Sequence, residues 1–454
     1  MGLKNTGVIH SPGSRFADII SMESQGVTFP YLFNLLHNYP FGMNPVRIFL
    51  TLCVLSFLLP VSAQERLPTS REIPILAWGG VPERENTLER FKEIRDAGFT
   101  INYANFQSLE GVEKALGFAQ QVGMKIVVRC PELRTDTENT VRRLMKHPAL
   151  AGYFLQDEPG ADDFPVLAEW AKKIIAVDNK HFCYINLFPN YALPEQLLGK
   201  NADVKGIKDA YPQYLESFLI QVPMTFLSFD NYPVVEGKSG RVIRDNWYKN
   251  LEQAMEAAGK RQIPLWAFAL SVAHDPYPIP TIAEIKLQMF TNLAYGAQAL
   301  QYFTYWNPRV NPNWDFHDAP IGHDGKRTVV YDRVKQVNSD LQKLAGVFMD
   351  SKVVFVKHTG KHIPAGTKRL DKLPDPVTIL ETDESGALVS LLEKGNRQFL
   401  VIVNRDFKNP LQLVFAAQDK VSRVLPDGTL VKASAYTSKL EIDPGDALIY
   451  TWEK

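Results

Sequence analysis

Residues 150–159 read Leu-Ala-Gly-Tyr-Phe-Leu-Gln-Asp-Glu-Pro, and the fold turns on how that run is read. Leu150 to Leu155 is nearly all apolar, as a buried strand requires. The run ends on adjacent carboxylates, Asp157 and Glu158, and Pro159-Gly160 stops further ladder pairing. An apolar strand that delivers acids to its C-terminal tip is how a parallel α/β barrel presents reactive groups. The competing reading makes Asp157 or Asp162 the N-cap of the next helix.

The same rhythm on both sides favours the barrel. Apolar runs begin at Ile73, Phe99, Met124, Phe182, Met224, Pro264 and Ala299, with stretches of helical period between them. Gly98, Gly123 and Gly296 stop helices, and Thr281 caps one. Eight strands alternating with helices, with the polar interest at strand C-termini, predict a (β/α)8 TIM barrel over residues 70–348. An open doubly wound sheet usually carries a Gly-rich phosphate turn after its first strand, and Gly79-Gly80-Val81 supplies none. Beyond Asp350, short strands recur from Val353-Val-Phe-Val to Ala447-Leu-Ile-Tyr-Thr-Trp, with turns at Pro426-Asp-Gly428 and Pro444-Gly445-Asp446. They predict an all-β sandwich over residues 350–454.

Lys+Arg and Asp+Glu balance at 50 each, so no net field attracts nucleic acid or anionic lipid. Met43-Asn-Pro-Val-Arg47, the apolar run Ile48 to Leu59, and Pro60-Val-Ser-Ala63 read as a signal peptide over residues 43–63. Residues 1–42 then form an upstream artefact or a disordered lead. The apolar run is too short for a comfortable membrane span. The expected mature chain is exported, periplasmic or extracellular, and free of the membrane after cleavage. Leu52 stands before Cys53 where a lipoprotein signal wants a small residue, which argues against a lipid anchor. Cys130 and Cys183 lie in apolar runs and read as buried thiols.

Three stretches carry a family resemblance. Gln156-Asp157-Glu158-Pro159 resembles an Asn-Glu-Pro strand-four tip. Pro280 to Trp306, with Leu287-Gln288, Ala294-Tyr-Gly296-Ala297 and Tyr302-Phe303-Thr-Tyr-Trp306, is similar to a last helix and eighth strand. Ala319-Pro-Ile-Gly-His-Asp324-Gly325-Lys and Tyr331 through Asn338 look like a closing segment before a β-sandwich. Together they resemble clan A glycoside hydrolases, particularly the β-galactosidase-like barrels of family 42. The resemblance implies an acid/base glutamate at Glu158. Two departures stand beside it. Asp157 replaces the clan's asparagine, and strand seven, where retaining members carry a nucleophilic glutamate, reads Trp266-Ala-Phe-Ala-Leu270-Ser271-Val-Ala-His274 with no carboxylate before Asp275. Glu284 falls one turn into the next helix.

Glycoside cleavage needs an acid to protonate the leaving oxygen and a second carboxylate on the other ring face. The two stand about 5–5.5 Å apart for retention and about 6.5–9.5 Å apart for inversion. Glu158 is the expected general acid, its pKa raised by Asp157 and by burial. Asp230, at the tip of strand six, is the expected base of an inverting reaction; alternatively it bonds the turn before Pro233. Asp275 instead supplies the nucleophile if its loop folds inward, and Glu132 is a third option unless it caps the following segment. Trp78, Trp266 and Trp306 are candidate sugar platforms, while Asn105, Arg129, Asn186, Tyr232, His274 and Tyr305 are candidates to bond hydroxyls. Arg129 either suits a uronate or sulfate, or pairs with Glu132 or Asp157. No cofactor is expected, nor a metal, because no second histidine stands at ligand spacing from His274. Two function classes follow: a glycoside hydrolase acting on an oligo- or polysaccharide, and a carbohydrate-binding barrel that has lost hydrolysis.

Overall fold

The computed structural model describes residues 66–67, 71–310, 312–435 and 440–454. The lead, the expected signal peptide and Cys53 lie outside them. Eight strands form the first sheet: β1 (Ile75–Trp78), β2 (Ile101–Tyr103), β3 (Lys125–Val128), β4 (Leu150–Asp157), β5 (Phe182–Asn186), β6 (Leu227–Phe229), β7 (Leu265–Leu270) and β8 (Ala297–Phe303). In space they run β5-β4-β3-β2-β1-β8-β7-β6, every pairing parallel. A parallel bridge between Leu187 and Phe229 joins the two edges, with Leu187 N donating to Ser228 O at 2.9 Å. The sheet is a closed barrel wrapped by helices, as the sequence predicts.

The pleat explains why these runs read as unbroken apolar stretches. Leu76 points inward among Val127, Phe154, Tyr184, Phe226 and Trp266. Its neighbours Ile75 and Ala77 point outward into the larger core shared with the helices. Both faces are buried, and each large side chain so placed contributes roughly 1.5–3 kcal/mol. Aromatic rings fill the interior, with Phe226 and Trp266 stacked at 4.1 Å. It is a packed core, so only the mouth at the strand C-termini is free to bind.

Local chemistry sets the helix ends. Ser108 caps Leu109–Gln121 by accepting from Gly111 N, and Thr281 caps Ile282–Ala294 in a reciprocal box with Glu284. That box, with Arg241 Nη1 at 2.9 Å from Glu284, fixes Glu284 in the first helical turn and away from the mouth. Strand eight ends at Phe303 rather than Tyr305. A hairpin of Val234–Gly237 and Gly240–Ile243 follows β6, an element the sequence did not lead us to expect.

After the helix Val329–Lys343 come, among the described residues, nine antiparallel strands: β9 (Lys352–His358), β10 (Val377–Thr382), β11 (Ala387–Lys394), β12 (Arg397–Asn404), β13 (Leu411–Ala417), β14 (Ser422–Val424), β15 (Leu430–Lys432), β16 (Leu440–Ile442) and β17 (Ala447–Glu453). One sheet runs β9-β11-β12-β17-β14-β15 and the other β10-β13-β16. Val389, Leu391, Leu400 and Ile402 pack between the sheets, where Phe415 stacks on Tyr450 at 3.7 Å. Their alternates Leu388, Leu392, Val401 and Val403 face the other way, into the core shared with the barrel. Cys130 and Cys183 are free and buried.

Candidate active site

Two barrel strands deliver the candidate acids, and the strand between them delivers an amide. β4 carries Asp157 as its last residue, and Glu158 follows with φ of 44°. A glutamate held in the left-handed region stores strain, a feature that gathers at working sites. Glu158 N donates to Asn186 O at 2.8 Å, and Tyr214 OH donates to Pro159 O at 2.7 Å, so neighbouring elements enforce the turn. β5 ends on Asn186 and β6 is followed at once by Asp230, both buried.

Asn186 joins these groups. Its Nδ2 donates to Asp230 Oδ1 at 2.8 Å and to Asp157 Oδ1 at 3.3 Å. Asp157 and Asp230 are therefore bridged by one amide nitrogen. The amide orientation is fixed from below. Ser228 Oγ donates to Asn186 Oδ1 at 2.9 Å, and Gln301 Nε2 donates to Ser228 Oγ at 2.9 Å. The Tyr184 hydroxyl donates to Gln301 Oε1. This buried relay leaves Asn186 only its N–H groups to offer the acids.

Crowding three carboxyls at one place disfavours their charge. Glu158 is pushed well above the usual glutamate value, first by burial, then by the charges of Asp230 and Asp157. Asp230 also rises, through burial and the charge of Asp157, while hydrogen bonds from Asn186 and Tyr232 pull it back. Asp157 reaches solvent at the rim although protein walls surround it. Burial of those walls raises its carboxyl, Asn186 and Arg129 oppose the rise, and water on the open side limits it.

These groups line a cavity of about 380 Å³ at the barrel mouth. Trp78, Asp157, Glu158, Asn186, Asp230, Tyr232 and His274 all border it, so seven sequence candidates converge there. Trp78 packs on Tyr103 and Phe268 with centroids at 4.6 and 5.4 Å. Tyr232 stacks on Phe303. Burial pushes the His274 imidazole down to about 4, so it is neutral near neutral pH. Among the described residues no cluster of His, Cys, Asp or Glu has the makings of a metal site.

Other candidates stand elsewhere. Asp275 is exposed and outside the cavity wall. The backbone pairs His274 with Tyr277, and this tight turn tucks both rings inward and leaves Asp275 outside. Glu132 accepts from Leu109 N at 3.2 Å, serving a helix end instead of the mouth. Trp266 is the second residue of β7 and not near its end, so it stacks inside the barrel away from the tips. Tyr305 is fully buried against Phe99 at 5.3 Å, because the strand ended two residues earlier. Trp306 is nearly buried beneath Arg90 and borders a neighbouring depression with Asn105, while Arg129 borders a separate hollow.

Residues absent from the sequence expectation complete the cavity: Tyr191, Gln196, Tyr277, Phe303, Trp314 and Phe316. All but Phe303 belong to the segments that follow β5, β7 and β8. Aromatics in a long loop after a barrel strand, such as Trp314-Asp-Phe316, were the available signal.

No protein-family model and no curated protein matches the sequence. Solved structures do match in fold. The β-galactosidase of Bacillus circulans sp. alkalophilus aligns with a TM-score of 0.57 at 9% identity, over 84% of this chain and 99% of that one. A catalytic mutant of a GH42 β-galactosidase from G. stearothermophilus aligns with a TM-score of 0.53 at 8% identity, over 86% and 100%. The β-galactosidase of the psychrophilic Marinomonas ef1 aligns over 60% of each chain, at 10% identity and a TM-score of 0.44. The chain has the fold of the clan A barrels that its sequence resembles.

Proposed function

We propose that this chain, which shares its fold with family 42 β-galactosidase barrels, is an exported glycoside hydrolase acting on an oligo- or polysaccharide. Fold alone does not carry activity. The observation that does is the meeting of Glu158 and Asp230 in one aromatic-walled cavity, where the charge of Asp230 disfavours that of Glu158.

Glu158 is the general acid. Its raised pKa keeps it protonated near neutrality, ready to give its proton to the glycosidic oxygen as the C–O bond breaks. Asp230, which the Asn186 amide holds toward its charged form, is the base. It takes a proton from a water that attacks the anomeric carbon on the opposite ring face, so the product sugar is inverted. Afterwards Glu158 is charged and Asp230 protonated, and exchange with solvent restores both. Asp157 holds negative charge beside Glu158 and shares Asn186 with Asp230. Trp78 offers an aromatic face to the sugar. The signal-like segment 43–63 supports export. Among the described residues no helix is long and apolar enough to cross a membrane.

The second reading, a binding barrel without turnover, draws on strand seven: Leu270 and Ser271 stand at its tip, with no carboxylate. Incubating the purified chain with a glycan library, and following the anomeric signal by NMR, tests both. Cleavage with inversion supports the proposal; binding without cleavage sinks it in favour of the second reading.

A further inference from the structure

A second hollow, of about 550 Å³, opens at the tips of β2, β3 and β4. Asn105, Arg129, Arg134, Gln156 and Trp170 border it, and none of its described lining residues is an acid. Among the described residues neither arginine forms an ion pair, and the charge of Asp157 reaches Arg129 only from a distance. Arg129 Nη1 donates to Tyr103 OH at 3.2 Å, and its guanidinium lies 5.1 Å from the Phe154 ring centre. Arg134 lies over Trp170 at 4.2 Å, and Trp170 is itself pinned by donating Nε1–H to Thr137 Oγ1 at 3.1 Å. Glu132, the obvious partner for Arg129 in sequence, is turned toward Leu109 N. Arg90, Arg95, Arg143 and Arg241, by contrast, each hold a carboxylate at 2.6–2.9 Å.

The hollow also connects to the reaction cavity. A depression of about 720 Å³ shares Asn105 and Gln107 with the hollow, and Trp78 and Phe303 with the cavity. Arg309, which is exposed, lies on its far wall. The three hollows therefore adjoin across the mouth, with Asp157, Glu158 and Asp230 in the first and Arg129 and Arg134 in the last. The planar fork of arginine matches carboxylate and sulfate oxygens two at a time, and a guanidinium stacked on an aromatic ring loses little freedom on pairing.

We propose that this hollow is a subsite for a negatively charged sugar, and that the substrate is an acidic glycan bearing carboxylate or sulfate groups. The proposal rests on the glycosidase reading for the cleft and adds a substrate class to it.

The test is binding of the full chain to arrayed neutral, uronate-containing and sulfated oligosaccharides at low and high salt, beside a cleavage assay on the same set. Acidic oligosaccharides are expected to be retained in preference to neutral ones, with retention falling as salt rises. Arg129→Gln/Arg134→Gln is expected to weaken acidic binding about tenfold or more and leave neutral binding unchanged. Arg129→Lys/Arg134→Lys keeps the charge and should recover part of it, while circular dichroism confirms that both variants fold. Retention of uronates alone or of sulfates alone identifies the source of charge, and either supports the proposal. Retention of neutral glycans alone, or acidic binding indifferent to the glutamine variant, overturns it. Neutral glycans bound and cleaved would leave the hydrolase standing without the charged subsite. Acidic glycans bound and never cleaved would do the reverse. An array that retains nothing overturns both.

Discussion

Asn186 Nδ2 lies 2.8 Å from Asp230 Oδ1, and the same nitrogen reaches Asp157 Oδ1 at 3.3 Å. One amide thus ties the tips of β4 and β6 through β5. It stabilises the charged forms of two carboxylates that burial would otherwise neutralise. Its own orientation is dictated by Ser228 and, through it, Gln301.

Removing that amide should raise the pKa of Asp230, since a hydrogen bond to the ionised form is lost. A base must be ionised to act, so the acidic limb of the pH–rate profile of Asn186→Ala moves to higher pH. Ser228→Ala, which frees the Asn186 amide to flip, should shift it the same way by less. An unmoved limb with a uniformly lower rate would mean that Asn186 serves only packing.

Glu158→Gln keeps the shape and removes the transferable proton. Turnover should fall about 10²–10⁴-fold, with binding largely kept. Substrates whose leaving group needs no protonation should suffer much less, and kcat measured on such a pair separates a lost acid from a damaged fold. Asp230→Asn should lose a similar factor on both substrates, because the water must be activated in either case.

Stability should carry the same signature. The folded chain holds a proton on Glu158 between the ordinary glutamate value and its raised one, where the unfolded chain has released it. The folded state binds more protons there, so stability is fully present below that window and is lost as pH rises through it. Glu158→Gln does not titrate. Its Tm should match the wild type near about pH 4 and exceed it increasingly toward about pH 8. A Tm difference that is constant with pH would show that Glu158 ionises normally.

Trp314 is 50% exposed and stands 5.7 Å from His274 and 6.0 Å from Phe316 between ring centres. It holds up little of the core, so Trp314→Ala should leave Tm and kcat near the wild type. Losing one aromatic face from the cavity wall should raise KM by about 3–10-fold, in keeping with roughly 0.5–1.5 kcal/mol per aromatic contact. A fall in Tm with KM unchanged would make the ring structural.

Gly445, in the turn before β17, has φ of +69°, and a Cβ there would lie 2.2 Å from Ala283 O on the helix Ile282–Ala294. Gly445→Ala should destabilise by more than about 1 kcal/mol, because both the backbone and the close approach reject a side chain. Denaturant titration reads the loss, and the folded fraction should keep its activity. A silent substitution would mean that the two surfaces adjust freely.

The eight strands, the helices between them and the β-rich tail were legible in the sequence, because hydrophobic period and helix caps are local properties. Leu150 to Leu155 alone announced a buried strand, and Pro159-Gly160 where it stops. The placing of acids at strand tips followed for the same reason, and so did Asn186 and Tyr232. What the tertiary structure decided was depth, facing and partnership. Trp78 and Trp266 look alike in sequence, yet one ends its strand at the mouth and the other is the second residue of its strand, inside the barrel. His274 and Asp275 are neighbours, and a tight turn sends one into the cavity and the other to solvent. Tyr191, Tyr277 and Trp314 reach the site only because loops far apart in the chain close over one mouth. Such outcomes depend on register and on contacts across long sequence separations, which no window of neighbouring residues contains.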